Sequence, residues 1–131
     1  MLINSTTDQL VVSFNNMALK ATSARMEADP LTGDLQAIVR LYNTDILVFS
    51  NLDGGTILVC AGEGQLYNKA TTRRRINQAA AHFGLPISVR SDKNVFTIDV
   101  AHEGKEFTRR IEKDVLHPYH TAVFTADPRK W

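Results

Sequence analysis

Clusters of turn-forming residues recur at short intervals along this chain, and the runs between them are rich in β-branched and aromatic side chains. Ala28-Asp29-Pro30-Leu31-Thr32-Gly33-Asp34, Asn51-Leu52-Asp53-Gly54-Gly55, Ser91-Asp92-Lys93-Asn94 and His102-Glu103-Gly104-Lys105 each separate two such runs. This punctuation favours antiparallel strands joined as hairpins. Leu10 to Phe14 reads as a first strand. From about Leu19 to Glu27 the Ala, Met and Arg content also suits a helix, but the loop after it favours a hairpin whose return strand is Gln36 to Tyr42. Ile46-Leu47-Val48-Phe49 is apolar at every position, which predicts a central strand covered on both faces. Gly54 and Gly55 can take the positive φ that a tight connection to Thr56–Cys60 requires. Ile87 to Arg90, Val95 to Val100 and Glu106 to Ile111 complete the strands. In the second of these Phe96, Ile98 and Val100 share one side, with Thr97 and Asp99 on the other.

One segment has helical spacing. Ile76, Ala79, Ala80 and Phe83 fall on one face, Thr71 or Thr72 can cap the start, and Gly84 fits a left-handed stop with Pro86 close behind. The expectation is an α+β fold of a single domain, residues 1–131, with an antiparallel β-sheet built from hairpins and one main α-helix, about 72–83, packed on it. At this length about two-thirds of the unfolded surface is removable from water. A hydrophobic fraction of 44% with 22% charged residues excludes a disordered chain. The tail from Asp114, with Pro118 and Pro128, takes no assignment.

The helix also carries the most unusual charge pattern. Arg73, Arg74 and Arg75 follow Thr71-Thr72 and fall in its first turn, where the unsatisfied backbone N–H groups already amount to about half a positive charge. Three cations there are unfavourable unless an anion offsets them, so this turn is the candidate anion-binding surface. At about 100° per residue Arg74, Gln78 and His82 point away from the core, with Arg73 and Arg75 flanking the apolar stripe. A fan of guanidinium groups suits an extended anion such as a nucleic-acid backbone, through bidentate contacts supplemented by helix amides. Lys69 and Tyr67 precede the turn, the latter as a candidate for base stacking beside Tyr42, Tyr119 and Trp131. Arg90, Lys93, Lys105, Arg109 and Arg110 on the later hairpins would extend the positive surface; Arg109 can instead lay its stem over Phe107 and Ile111. The competing expectation is neutralisation within the fold by Glu63, Asp53 or Asp92.

Overall charge adds little, because the net is only +1. Its distribution is uneven: residues 1–65 hold three Lys/Arg against seven acids and residues 66–131 hold twelve against seven. The single cysteine, Cys60, excludes an internal disulfide, fits core filling, and favours a reducing compartment or indifference to redox state. Neither a signal peptide at Met1 to Asn4 nor a membrane span is expected. No cofactor is expected either, since Gly62-Glu63-Gly64 lacks the dinucleotide and phosphate-loop patterns. His117 and His120, with His102 and Glu103 earlier, lack the Cys partners or helical frame of a metal site, and no nucleophile motif indicates an enzyme.

The stretch Leu41-Tyr42-Asn43-Thr44-Asp45-Ile46, then Thr56-Ile57-Leu58, then Tyr67-Asn68-Lys69-Ala70-Thr71-Thr72-Arg73-Arg74-Arg75-Ile76-Asn77 resembles a family of small bacteriophage proteins without assigned activity. The resemblance covers roughly residues 38–90, and its specific part is the Thr-Thr-basic-x-Arg-Ile-Asn pattern. It implies a phage-type accessory protein acting in the bacterial cytoplasm, and it carries no catalytic residues. The leading expectation is a non-enzymatic protein that binds nucleic acid, or a nucleotide phosphate, through the basic helix start. The alternatives are a phage inhibitor of a host defence protein, a sequestering protein for a signalling nucleotide, and a virion or assembly component. Self-association through exposed strand edges is compatible with all of these.

Overall fold

A computed structural model of the protein describes residues 2–61 and 67–112, and the backbone of 121–125. The chain opens with helix α1 (Thr7–Asn16), where a strand over Leu10 to Phe14 was expected. Thr7, Val11 and Phe14 are its buried residues, while Val12 is 60% exposed, so burial follows helical spacing and not alternation. Val11 and Val12 favour strands, but packing overrides that preference: Phe14 meets Phe83 with ring centroids 5.6 Å apart. The polar Asn4-Ser5-Thr6-Thr7 stretch is the local signal for the helix. Asn4 Oδ1 accepts from the Thr6 amide at 2.9 Å, and Thr7 Oγ1 accepts from the Asn4 amide at 3.0 Å.

Four strands follow as a meander, β1 (Thr22–Ala28), β2 (Leu35–Leu41), β3 (Thr44–Ser50) and β4 (Thr56–Cys60), each antiparallel to the next. Helix α2 (Ala70–Phe83) comes next, then a second antiparallel meander of β5 (Ile87–Asp92), β6 (Val95–His102) and β7 (Lys105–Ile111). The last described segment, β8 (Thr121–Thr125), returns to pair with β4, giving a five-stranded sheet in the order β1-β2-β3-β4-β8 beside a three-stranded one. The fold is therefore α+β and antiparallel, with two helices instead of one. β3 is the middle strand of its sheet and buries Ile46, Leu47 and Phe49, as its unbroken apolar run predicts. Gly33, Gly54 and Gly55 hold positive φ in the predicted loops.

Both sheets and both helices meet in one core that includes Phe14, Phe49, Ile76, Phe83, Phe96 and Ile98. α2 contributes Ile76, Ala79, Ala80 and Phe83, and it ends as predicted: Gly84 is left-handed at φ 70° and the Leu85 amide donates to Ala80 at 2.9 Å. His82 departs from its outward prediction. Its Nε2 lies 2.9 Å from the Leu10 carbonyl oxygen and 2.8 Å from Ser13 Oγ, because α1 covers that side of α2.

Three asparagine carboxamides hold these parts together by the same geometry. Asn15 of α1 donates to the Ala24 carbonyl at 3.0 Å and accepts from its amide at 2.8 Å, on the edge strand β1. Asn77 of α2 does the same to Val89 on the edge strand β5, at 2.9 and 2.7 Å. Asn51 pairs with Ile3 at 2.8 Å in both directions. Each side chain copies a peptide group and satisfies both backbone groups of its partner. Among the described residues no helix is long and apolar enough to cross a membrane.

Candidate anion-binding site

The N-cap of α2 lies two residues before Thr71 and three before Thr72, the two predicted caps. Ala70 is the first helical residue and Lys69 the N-cap, with no side-chain cap, so Thr71 and Thr72 lie inside the first turn. A contact made from within the helix sets this boundary. Asn68 is left-handed at φ 59°, and Arg73 Nη1 donates to its backbone carbonyl and to its Oδ1, the latter at 2.7 Å. Asn68 is further tied to Ala61 through its amide (2.9 Å) and to Ser91 Oγ through its Nδ2 (2.9 Å). The Ser91 link sets the end of the β5–β6 hairpin, with exposed Lys93 in its turn, beside the helix start.

The first backbone bond of α2 runs from the Arg73 amide to Lys69 at 3.1 Å. The amides of Ala70, Thr71 and Thr72 therefore have no acceptor among the described residues, and the first turn contains no acid. The three arginines divide as the helical wheel predicts. Half-buried Arg73 is spent on Asn68, and half-buried Arg75 donates from Nε to Thr22 Oγ1 (3.0 Å) and from Nη1 to Gln78 Oε1 (2.9 Å). Arg74 is exposed and makes no hydrogen bond or ion pair among the described residues. Every acceptor here is uncharged, so the fold orients two guanidinium groups without cancelling their charge. Of the acids expected to neutralise them, Glu63 and the Asp53 side chain lie outside the described residues, and Asp92 is engaged by Arg110 instead.

The later hairpins behave differently. Arg90 Nε donates to Asp99 Oδ2 at 2.7 Å, and Thr108 Oγ1 donates to Asp99 Oδ1 at 2.7 Å. The Arg90 hydrogen bond, assisted by Thr108, holds the Asp99 carboxyl below its ordinary pKa even though burial opposes the shift. Asp99 and Thr97 are 7% and 0% exposed, so the polar side of β6 is covered by its neighbours' side chains and not open to water. Arg110 Nη1 meets Asp92 Oδ2 at 2.5 Å and its Nε lies 3.7 Å from Glu112. These two predicted anion ligands are thus partnered by carboxylates of the same chain. Exposed Arg109 stands opposite Ile98 in register, on the core-side face of its sheet. Tyr67 does not present a free ring: it is half-buried against the core, its hydroxyl donates to the Ile111 carbonyl, and it accepts from the Phe96 amide at 3.1 Å. Tyr119, Trp131, His117, His120 and the Gly62–Gly64 turn lie outside the described residues.

The sequence reading missed a cleft of about 230 Å³ between the first turn of α2 and the β2–β3 connection. Lys69, Thr71 and Thr72 form one wall, and Leu41, Tyr42, Thr44 and Ile46 the other. Tyr42 sits in the turn at φ 53°, 66% exposed, with its amide bonded to Ala21 at 2.8 Å. The positive φ on a bulky residue is an available signal for this site only once the turn is known.

No protein-family model, curated protein or solved structure matches the chain.

Proposed function

We propose that the protein acts by binding an anionic partner, nucleic acid first, at the start of α2. One observation carries the reading: Lys69, Arg73, Arg74 and Arg75 gather at a helix N-terminus without an acid in the first turn, and no guanidinium among them meets a carboxylate of the described residues. Helix amides, the helix dipole and undischarged cations then all favour the same kind of ligand. Arg74 is the outermost phosphate contact in this proposal, with Lys69 and Lys93 flanking it and Arg73 and Arg75 contributing field. The phage-type pattern supports an accessory role in a bacterial cytoplasm, with a host protein as the second choice of partner.

Fluorescence anisotropy of labelled single- and double-stranded oligonucleotides, titrated across about 50 to 200 mM salt, tests the proposal. Affinity falls steeply with salt, and Arg74→Glu weakens binding and flattens the slope by about one phosphate contact. Unchanged binding by that variant overturns it.

A further inference from the structure

The hairpin of β1 and β2 ends in a loop built rigidly around one exposed leucine. Asp29 Oδ1 accepts from the Leu31 amide at 2.8 Å and from the Thr32 amide at 3.2 Å, while the Gly33 amide donates to the Asp29 carbonyl at 2.8 Å. The Asp29 amide closes the loop on the Asp34 carbonyl at 2.7 Å, with Gly33 left-handed at φ 77°. Leu31 is 93% exposed at the tip. A single apolar side chain on a surface is ordinary, but a loop already fixed in one pose by its own hydrogen bonds has little freedom left to lose when it docks. From Met26 to Val39 the chain holds Glu27, Asp29 and Asp34 and neither Lys nor Arg, so the tip is an apolar side chain among acids.

The cleft between β2, β3 and α2 has the inverse character. It is lined by the buried side chains of Leu41 and Ile46, and exposed Tyr42 and Lys69 stand beside them. Arg74, also exposed, follows cleft-lining Thr71 by about one helical turn on the same side of α2. Asp45, next to Thr44, opposes this charge little, because Arg40 and Arg25 hold it at 3.0 and 3.4 Å. Deleting one buried leucine can leave a cavity of about 150 Å³, so a cleft of about 230 Å³ accepts a leucine with part of its loop. The two features stand at opposite ends of one strand pair. Thr22 faces Leu41 at the cleft and Ala28 faces Leu35 at the loop, roughly 20 Å away along the strands, so the loop does not reach the cleft of its own copy. We infer that Leu31 of one copy seats in this cleft of a second copy, with the acids around it turned toward Lys69 and Arg74. The contact is heterologous, head to tail, and it uses no strand edge. It lies beyond the anion-binding reading and does not depend on it.

Sedimentation velocity of the full chain from about 10 μM to about 1 mM tests this, a range set by the small area that one loop and one cleft can cover. The average mass rises with concentration, and added salt lowers it because the facing charges are opposite. Leu31→Asp, at a fully solvated side chain, spoils the tip and keeps the cleft. Thr71→Phe fills the cleft and keeps the tip. Each variant alone is monomeric, and an equimolar mixture forms a one-to-one dimer that grows no further, because only one tip and one cleft survive in it. Should Thr71→Phe disturb the helix start, Lys69→Glu repels the acidic loop instead and complements Leu31→Asp in the same way. A parent that stays monomeric to about 1 mM overturns the inference and leaves the cleft to a foreign partner or a small apolar ligand. So does a Leu31→Asp variant that associates like the parent, or a mixture that stays monomeric although the parent associates.

Discussion

On the three-stranded sheet, Arg90 and Arg110 each reach a carboxylate on another strand, Asp99 at 2.7 Å and Asp92 at 2.5 Å. At the start of α2, Arg73 and Arg75 reach carbonyl, carboxamide and hydroxyl oxygens, and Arg74 reaches nothing among the described residues. The side chains are identical, and their acceptors decide what they can do. A carboxylate fixes a guanidinium and cancels its field; a neutral oxygen fixes it and leaves the field intact. Counting arginines therefore overstates the anion-binding surface on the sheet and not at the helix.

The sharpest way to break this contrast is to reverse one charge in each region. Arg74→Glu lowers oligonucleotide affinity by tenfold or more without loss of thermal stability. Arg110→Glu leaves affinity within about twofold and changes stability by at most about 1 kcal/mol, because its pair with Asp92 is more than one-third exposed on both sides. Equal losses of binding would erase the distinction. A second change separates the regions physically. Asn77→Ala frees both backbone groups of Val89, a residue 4% exposed, and costs about 1–3 kcal/mol in chemical denaturation.

The acid limb of the stability curve gives a subtler comparison. The folded pKa of Asp99 is depressed, so its contribution is fully present above the ordinary carboxylate range and is lost as pH falls below about 4. Thermal midpoints from pH 7 to 3 fall less steeply for Asp99→Asn than for the parent, from a lower starting value. No such change accompanies Arg74→Gln, whose parent side chain has no carboxylate partner among the described residues. The smallest effect comes from placing an acid in each region. Thr71→Asp at the exposed helix start stabilises by about 0.3–1 kcal/mol and competes with added anions. Ser88→Asp, which faces Asp99 in register, destabilises instead.

Most of the hairpins were legible because their turns are spelled locally. Lys93-Asn94 and Glu103-Gly104 adopt the positive φ values that tight two-residue connections need, and Gly84 ends α2 where its conformation allows. What escaped the sequence depends on contacts between distant residues. The Leu10-Val11-Val12 run has strand chemistry, and only Phe83 and the edge of β1 make it a helix. The helix cap was misplaced because Arg73 folds back on Asn68, a contact that no capping rule contains. Tyr67 looked available for stacking until the amide of Phe96 and the carbonyl of Ile111 were brought to its hydroxyl. The cleft joins residues from β2, β3 and α2, so it had no local mark. β8 falls in the tail that took no assignment, and its partner β4 lies far back in the chain.

The asparagine carboxamides have a consequence for how copies of this chain meet. A strand approaching β1 or β5 finds Ala24 or Val89 already engaged, and would have to evict a helix-borne amide before it could zip. Docking by sheet extension is thereby diverted to the other two edges, β8 and β7, and on β7 the exposed Lys105, Glu106, Arg109 and Arg110 place charge along the approach. Two of the four strand edges are thus closed by side chains that imitate the missing neighbour's backbone.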